Sequence, residues 1–385
     1  MKKFLDCISI VGATPSKFHG TKKYISTGAV ATTEIDESEV VEVTYEDRPS
    51  RANLSAEAGD ILFAKMQGTR KTLLLDSETE KNIYSTGFYA VRANPEVITT
   101  ECLYYLIDSE LFLAQKDKNC SGATQKAITN GGMAKIEISV PPLSEQGILV
   151  DKLKHLTQLI ADKKKQLNLF DEIIKSRFIE MFGDPVTNPL RWAMLPLEKC
   201  LTVLGGYAFK SEEFKTSGVP VLRIGNINTG AFTPTNMVYW SKDDCLTRYQ
   251  VLPGDLVISL TGTVGKDDYG NVCILGNAYP MYYLNQRNAK LILDDELNKH
   301  YLSELLKFSQ IKKKLTGISR GVRQANISNR DILNLVVPIP PIEIQVQFAA
   351  FVEQVDKSKF YIVQIQILLR LLIRAIQQKT TEVLL

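Results

Sequence analysis

Two short stretches decide how this chain is organised: VPPLSEQ at residues 140–146 and IPPIEIQ at residues 339–345. They lie 199 residues apart, and each places a pair of prolines directly before a long amphipathic segment. Proline cannot donate a backbone hydrogen bond into a sheet, so a strand is expected to end at each pair. A helix is then expected to begin at the same point of two similar modules.

Further matches indicate that the whole chain is an internal duplication. GATQKAIT at residues 122–129 corresponds to GVRQANIS at residues 321–328, again at an offset of 199. AGDILFAKMQGT at residues 58–69 resembles PGDLVISLTGT at residues 253–263. Each module therefore starts with short strands that follow a Gly-Asp turn. A short helix comes next, which we align between the copies through Tyr105-Leu106 and Tyr301-Leu302.

The segment after each Pro-Pro pair predicts a long helix with one apolar seam of the a/d heptad type. The first seam comprises Leu149, Leu153, Leu156, Ile160, Leu167, Phe170, Ile174, Phe178 and Met181, with Lys163 in one slot. A shift of 199 residues places the second seam at Phe348, Val352, Val355, Lys359, Ile362, Gln366, Leu369, Ile373 and Ile376. The second helix also carries Leu368, Leu371 and Leu372 outside its seam, so this face is expected to meet its own domain or another protein.

These elements divide the chain into a globular domain at residues 1–142, a spacer helix at 143–183, a second globular domain at 184–341 and a spacer helix at 342–385. A helix of about 37 residues is about 55 Å long and needs a partner for its apolar stripe. The two equivalent helices are the expected pair, antiparallel, with one domain at each end. The alternative is that each helix packs only on its own domain.

Composition narrows the functional class only slightly. The formal net charge is +3, which is weak evidence for a nucleic-acid partner because DNA binding needs a basic face rather than a basic total. The six cysteines form no C-x-x-C pair, so we expect reduced thiols and no metal site. No signal peptide or membrane span is apparent, and a cytoplasmic location is expected.

The repeated motifs together resemble the specificity subunits of type I restriction-modification systems. The resemblance rests on PPLSEQ, on PPIEIQ, on GGYAFKSEEFKTSGVPVLRIGNI at residues 205–227 and on PGDLVISLTGTVGK at residues 253–266. It implies an α+β fold, with two pseudo-symmetric globular α/β target-recognition domains separated by two long antiparallel coiled-coil helices. The first copy lacks a clean G-x-A-F opening, and Ile344 replaces the expected glutamate of the second junction.

The resemblance also implies partners. These are double-stranded DNA with a bipartite site, two methyltransferase subunits, and restriction subunits in the full complex. Each domain would read one half-site, and the helices would set the unread gap and help dock the other subunits. Inserting four residues into one helix adds about 6 Å, which should lengthen the gap by one or two base pairs. No cofactor and no membrane partner are expected.

Base reading requires hydrogen-bonding side chains on loops that can approach a duplex closely. Glycine-containing loops rich in Lys, Arg, Gln and Thr occur at equivalent places in the two copies. The DNA-binding candidates on these loops are Lys65, Gln67, Thr69, Arg70, Lys71, Thr124, Gln125, Lys126, Thr261, Thr263, Lys266, Lys313, Arg320, Arg323 and Gln324. Structural interpretations stay open: a solvated helix end for residues 312–314, Arg320 and Arg323, and loop maintenance for Gln125 and Gln324.

No motif for catalysis stands out. GTVGKD at residues 262–267 lacks the glycine and the hydroxyl residue of a phosphate-binding loop, and the three histidines are scattered. We therefore expect a non-catalytic DNA-reading subunit. Two alternatives remain: a coiled-coil adaptor that assembles proteins without touching DNA, and an enzyme whose catalytic residues carry no motif.

Overall fold

The computed structural model describes residues 1–227, 229–264, 268–317 and 324–382. It divides into two compact units, one formed by Met1–Lys165 with Ile362–Leu385 and the other by Gln166–Tyr361. Each unit therefore holds one globular domain and about half of each long helix.

The first domain is built from short strands, three short helices and the start of a long one. Its strands are β1 (Lys2–Lys3), β2 (Ile8–Val11), β3 (Lys22–Ile25), β4 (Val30–Ala31), β5 (Glu34–Ile35), β6 (Val41–Val43), β7 (Ala52–Leu54), β8 (Ile61–Ala64), β9 (Thr72–Leu74), β10 (Ile83–Ser85), β11 (Phe88–Ala93) and β12 (Glu137–Ile138). Its helices are α1 (Thr100–Ile107), α2 (Glu110–Lys118), α3 (Asn130–Met133) and the first part of α4 (Leu143–Phe182).

The second domain has an equivalent set of strands and helices. Its strands are β13 (Ala193–Pro196), β14 (Leu201–Gly205), β15 (Val219–Leu222), β16 (Val238–Trp240), β17 (Gln250–Val251), β18 (Leu256–Ser259), β19 (Thr261–Thr263), β20 (Val272–Ile274), β21 (Tyr282–Leu284), β22 (Asn288–Leu293), β23 (Gln324–Asn326) and β24 (Val336–Ile339). Its helices are α5 (Lys299–Lys307), α6 (Ser309–Thr316), α7 (Asn329–Leu333) and the first part of α8 (Ile342–Glu382).

The two domains share one topology. The first has sheets of strand order β2-β11-β8-β9 and β6-β3-β10-β7, and the second has β14-β22-β18-β20 and β16-β15-β21-β17. A parallel pair lies inside the second sheet of each domain, β3 with β10 and β15 with β21, among otherwise antiparallel neighbours. The predicted duplication and the α+β fold class are therefore confirmed.

The Gly-Asp turn has the same role in both domains. Gly59 and Gly254 each adopt φ of 88°, a left-handed conformation that favours glycine. The aspartate that follows forms an ion pair with the central strand of the sheet, at 2.6 Å from Asp60 to Arg92 and 2.7 Å from Asp255 to Lys290. The strand after each turn is thereby fixed to its neighbour.

Both predicted seams are confirmed by burial: each of their residues is buried or half-buried. In the first unit, Leu149 packs on the domain core near the start of α4, and Gln377 near the end of α8 donates to the Tyr105 carbonyl at 3.0 Å. Farther along, Gln366 Nε2 lies 3.5 Å from the Ile160 carbonyl oxygen. Within this unit the helix halves therefore run antiparallel.

The second unit pairs its helix halves in the same way. Phe178 and Phe182 of α4 contact Phe348 of α8 with ring centroids 5.5 and 5.4 Å apart, close to the domain core. Farther along, Lys359 forms an ion pair with Asp171 at 2.6 Å. The alternative that each helix packs only on its own domain is wrong, because the seam residues meet the other helix as well.

The glutamine of each PPxxxQ motif joins the helix to its domain. Gln146 is fully buried: its Oε1 accepts from the Thr99 N–H at 2.7 Å, and its Nε2 donates to the Val97 and Pro141 carbonyls at 3.0 and 2.9 Å. This set of bonds ties the first turn of α4 to the start of α1. Sequence reasoning did not identify this role.

Gln345 makes the same three bonds in the second domain. Its Oε1 accepts from the Asn298 N–H at 2.8 Å, and its Nε2 donates to the Glu296 and Pro340 carbonyls at 3.1 and 2.7 Å. Thr99 and Asn298 cap the equivalent helices α1 and α5, which again gives an offset of 199.

The alignment of α1 with α5 through the two Tyr-Leu pairs is therefore wrong. The buried positions Leu103, Leu106 and Ile107 match Leu302, Leu305 and Leu306 at the offset of 199. The capping residue and the period of buried apolar residues align the two helices correctly, whereas the two identical Tyr-Leu pairs do not.

We expect Gln345→Leu to destabilise the second unit. The substitution leaves a buried N–H and two carbonyls without partners, and an unpaired buried group costs roughly 1–3 kcal/mol. Thermal unfolding of the full chain should show a lowered transition. Gln354→Leu, at an exposed position of α8, is the matched control and should change little. Equal transitions for both variants would contradict this role.

Candidate nucleic-acid interface

The two candidate loops of the first domain lie side by side. The N–H of Gln67 donates to the Lys126 carbonyl at 2.9 Å, and the N–H of Ile128 donates to the Lys65 carbonyl at 2.9 Å. The segment that leaves β8 is thereby paired with the end of the glycine-containing loop. Residues that are about 60 positions apart in sequence form one surface.

The second domain pairs its candidate loops at the equivalent place. β19 and β23 are antiparallel, with Thr261 opposite Asn326 and Thr263 opposite Gln324. The N–H of Ile327 donates to the Leu260 carbonyl at 2.8 Å, as that of Ile128 does to Lys65. In both domains the structure brings together the two loops that the sequence singled out separately.

The exposed candidates of the first domain are Gln67, Arg70, Thr124, Gln125 and Lys126. Lys65 is half-buried, with its Nζ 4.3 Å from the centroid of the Tyr89 ring, and burial lowers the pKa of this lysine. The Nε2 of Gln67 donates to the Asp117 carbonyl at 3.2 Å. The loop surface thus presents amide, hydroxyl and ammonium groups to a ligand.

Other candidates of this domain have partners within the protein. Arg70 makes a two-pronged ion pair with Asp108, at 3.0 and 2.8 Å, and the hydrogen bond that Arg70 donates to Asp108 raises the pKa of Arg70. The Nζ of Lys71 donates to the Thr27 carbonyl. These bonds fix the loop, and a DNA contact by either residue stays a prediction.

Lys116 is a residue of this site that sequence reasoning missed. Its side chain is only 2% exposed, and its ammonium donates to the carbonyls of Ala64, Met66 and Thr69 at 3.2, 2.8 and 2.7 Å. The candidate Thr69 thus contributes its backbone to this cluster. Burial lowers the pKa of Lys116. The repeat offers a signal for this residue, because an offset of 199 places Lys116 at Leu315, which is also buried.

In the second domain an acidic residue braces the loop instead. Asp268 accepts from the Thr263 N–H at 2.8 Å and from its hydroxyl at 2.9 Å. The hydroxyl of Thr261 donates to the Asn326 side-chain oxygen at 2.9 Å, and Thr261 is buried. Thr261 and Thr263 therefore hold the paired loops in place, and their predicted contacts with DNA stay predictions.

The basic candidates of the second domain are only partly described. Lys313 is exposed on α6, whereas the neighbouring Lys312 is buried and its Nζ donates to Asn271 Oδ1 at 2.6 Å. Lys266, Arg320 and Arg323 lie outside the described residues, as does the side chain of Gln324, whose backbone belongs to β23.

The cysteines and acidic groups show no metal chemistry in the described ranges. There, no group of three or more His, Cys, Asp or Glu side chains is placed to hold an ion. Cys102 and Cys273 are free and buried, and burial raises the pKa of each thiol to about 12. Neither thiol is therefore activated as a nucleophile at neutral pH.

A family model of the type I restriction modification DNA specificity domain matches residues 10–169 and again residues 189–371. The chain belongs to this family. It is thus a type I restriction-modification specificity subunit, a protein concerned with recognising DNA sequence. The double match agrees with the two domains of like topology.

Curated relatives agree with this assignment. The chain is 25% identical over 301 residues to the type I restriction enzyme MjaVIII specificity subunit of Methanocaldococcus jannaschii, covering 72% of this chain and 68% of that one. It is 26% identical over 289 residues to the EcoKI specificity subunit of Escherichia coli, covering 70% of this chain and 61% of that one.

A solved structure supports the fold. It comes from work on complex assembly and conformational transition of the type I R-M system, and it superposes with a TM-score of 0.53 at 22% identity. The match covers 98% of this chain and 96% of that chain. At this identity the similarity shows the fold alone.

Within the described part of the chain, one helix resembles a membrane span in its length and composition. The stretch Ile342–Gln378 of α8 is long and apolar enough to cross a membrane by length and composition. The core helix of a soluble protein can have the same length and composition. The expectation of no membrane partner stays a prediction.

We expect Lys116→Met to loosen the paired loops of the first domain. The change keeps the apolar stem and removes the ammonium that three loop carbonyls share, and hydrogen bonds to a charged group contribute about 1.5–3 kcal/mol. Hydrogen exchange at the Gln67 and Ile128 amides should accelerate by roughly 10- to 150-fold. The control Leu315→Met, at the equivalent apolar position, should leave exchange at Ile327 unchanged. Unaltered exchange in Lys116→Met would rule out this bracing role.

Proposed function

We propose that this chain reads a bipartite DNA site, with each domain recognising one half. The observation that carries the proposal is that two domains of one topology pair equivalent loop segments, residues 65–67 with 126–128 and residues 260–263 with 324–327. Reading a few base pairs gives modest discrimination, about 1–3 kcal/mol for each good bidentate contact. Linking two readers raises affinity through effective concentration, so a duplicated reader suits a split site.

We also propose that the chain performs no catalysis of its own and that partner methyltransferase subunits modify the DNA. The family assignment supports this division of work. Restriction subunits would complete the complex, in the cytoplasm. Methylation of DNA by the purified chain with a methyl donor and no other subunit would overturn this proposal.

The long helices carry a surface suited to docking those subunits. In the first unit, α8 exposes apolar side chains over several turns, each between 39% and 64% exposed. Four of these side chains, Ile367, Leu368, Leu371 and Leu372, are related by i+3 and i+4 spacings and form one surface, which we call the outer apolar face. A helix that is apolar on more than one side is normally buried, and the seam already covers the other side.

We expect Leu368→Glu to weaken binding of the methyltransferase subunits while the chain stays folded. Leu368 is 64% exposed, so the charge costs little in the isolated chain but must be desolvated at an apolar interface. Co-purification after co-expression is the measurement. Leu252→Glu is the matched control, because Leu252 is exposed in the turn where the first domain has Glu57.

Co-purification of Leu368→Glu at the wild-type level would contradict docking on the outer apolar face. Recovery of the co-expressed wild-type chain in the membrane fraction would contradict it as well, because a lipid surface would then be the occupant.

The spacer role has its own test. Four residues added to both α4 and α8 at matching points of the seam lengthen the pair by about 6 Å and keep the two helices in step. We expect the unread gap to grow by one or two base pairs, with both half-sites unchanged. Sequencing of methylated DNA from cells that carry the whole system gives the result. Altered half-sites, or an unchanged gap, would contradict the spacer role.

The adaptor alternative differs in one measurable way. An adaptor would bring the other subunits together and bind a duplex no better when the methylated site is present. Preferential binding of that site by the assembled complex favours the DNA-reading function, which also accounts for the polar loop pairs in both domains.

A further inference from the structure

We propose that the second domain contacts duplex DNA through a cleft that adjoins its paired loops. The inference rests on the proposed function and adds to it a binding surface that the candidate loops do not include. The cleft encloses about 580 Å³, and its lining includes Arg223, Arg287, Asn236 and Gln286. Among the described residues that line it there is no carboxylate.

The GGYAFKSEEFKTSGVPVLRIGNI motif builds two walls of this cleft. Phe209 and Phe214 come from its first part and Arg223 from its second. Asn226 is buried, and its Nδ2 donates to the Thr233 and Thr235 carbonyls at 3.1 and 3.0 Å, which holds the neighbouring loop in place. That loop ends at Asn236, whose carbonyl accepts a 2.6 Å bond from Arg223. The motif is therefore required to shape the cleft.

The turn between β21 and β22 forms the third wall. A side chain at Gly206 would place its Cβ 2.2 Å from the Asn285 carbonyl oxygen, so only glycine permits this close approach. The N–H of Gln286 donates to the Tyr207 carbonyl at 2.8 Å. These contacts fix the backbone of the turn while the side chains of Gln286 and Arg287 remain exposed.

The cleft is continuous with the paired loops. The N–H of Leu260 donates to the Arg287 carbonyl at 2.8 Å, and the Leu260 carbonyl accepts from the Ile327 N–H at 2.8 Å. One residue thus bonds to the cleft wall on one side and to the loop pair on the other. A duplex lying on the paired loops would pass beside the cleft.

The chemistry of the lining suits DNA. Arginine can contact two acceptors of guanine or a backbone phosphate, and glutamine can pair with adenine. The two arginines are the charged residues among the described lining residues, and positive charge attracts phosphates. The first domain has Gly87 where the second has Arg287, with the same backbone bond, from the Lys65 N–H at 2.9 Å. The cleft is therefore expected to serve one half-site only.

The test uses the full chain assembled with its methyltransferase subunits. Fluorescence anisotropy compares three duplexes: one with the methylated site, and two in which one half-site or the other is scrambled. We expect Arg287→Gln to bind the intact duplex roughly 5- to 150-fold more weakly than wild type. It should also lose discrimination at one half-site and keep it at the other. A salt titration separates a base contact from a phosphate contact, which would reduce the slope by about 1.

Two further variants make the result decisive. Arg191→Gln changes an exposed arginine after α4 and should bind all three duplexes like wild type. Gln286→Ala tests the same wall without removing a charge and should weaken binding at the same half-site as Arg287→Gln.

If both cleft variants bind all three duplexes like wild type, the cleft proposal is wrong and the proposed function stands. If wild type itself does not distinguish the intact duplex from the scrambled ones, the proposed function fails. A uniform loss of affinity with a shallower salt dependence supports the cleft as a phosphate contact.

Discussion

The architecture of each unit depends on one buried glutamine amide. Gln146 and Gln345 each satisfy a backbone N–H and two carbonyls at the point where a sheet gives way to a long helix. The amide has donors and an acceptor in fixed geometry, so it ties three backbone segments together at once. The direction in which each long helix leaves its domain is set there. A spacer can transmit distance only if its ends are held in this way.

Beyond this glutamine, the heptad seam holds the two long helices together. Its apolar residues pack the two helix halves against each other within each unit, and Lys359 with Asp171 adds an ion pair at the seam. Both helices expose some apolar side chains outside the seam, but on α8 these cluster between Phe360 and Leu372, whereas on α4 they are spread along the helix. The same helix can therefore serve as a spacer through one face and as a docking surface through another.

The two domains share the backbone pairing of their loops but differ in the side chain that holds the loops in place. The first domain places the ammonium of Lys116 under its loop, and the second uses Asp268 while Leu315 occupies the lysine position. One loop is thus held through its carbonyls and the other through an N–H and a hydroxyl. Two domains with the same topology thus hold their loops differently, which suits the proposed reading of two different half-sites.

Much of this organisation was predictable from the chain alone. A repeat of 199 residues, two prolines before each helix and a heptad period are local or translational patterns, and they depend on backbone chemistry that acts at short range. They predicted the duplicated domains, the two long helices, the buried seams and the glycine-containing loops. The predicted alignment of α1 with α5 was wrong because it relied on the identical Tyr-Leu pairs and not on helix capping and burial.

Only the tertiary structure decided which polar residues face solvent and which hold the protein together. Arg70, Lys116 and Lys312 look alike as basic letters near a glycine-containing loop, yet Arg70 is paired with Asp108 and the two lysines point inward. The cleft of Arg223 and Arg287 joins residues 64 positions apart, which no local period links. The sequence determined the repeated plan, and long-range packing assigned the buried charges their partners because a buried charge must find one.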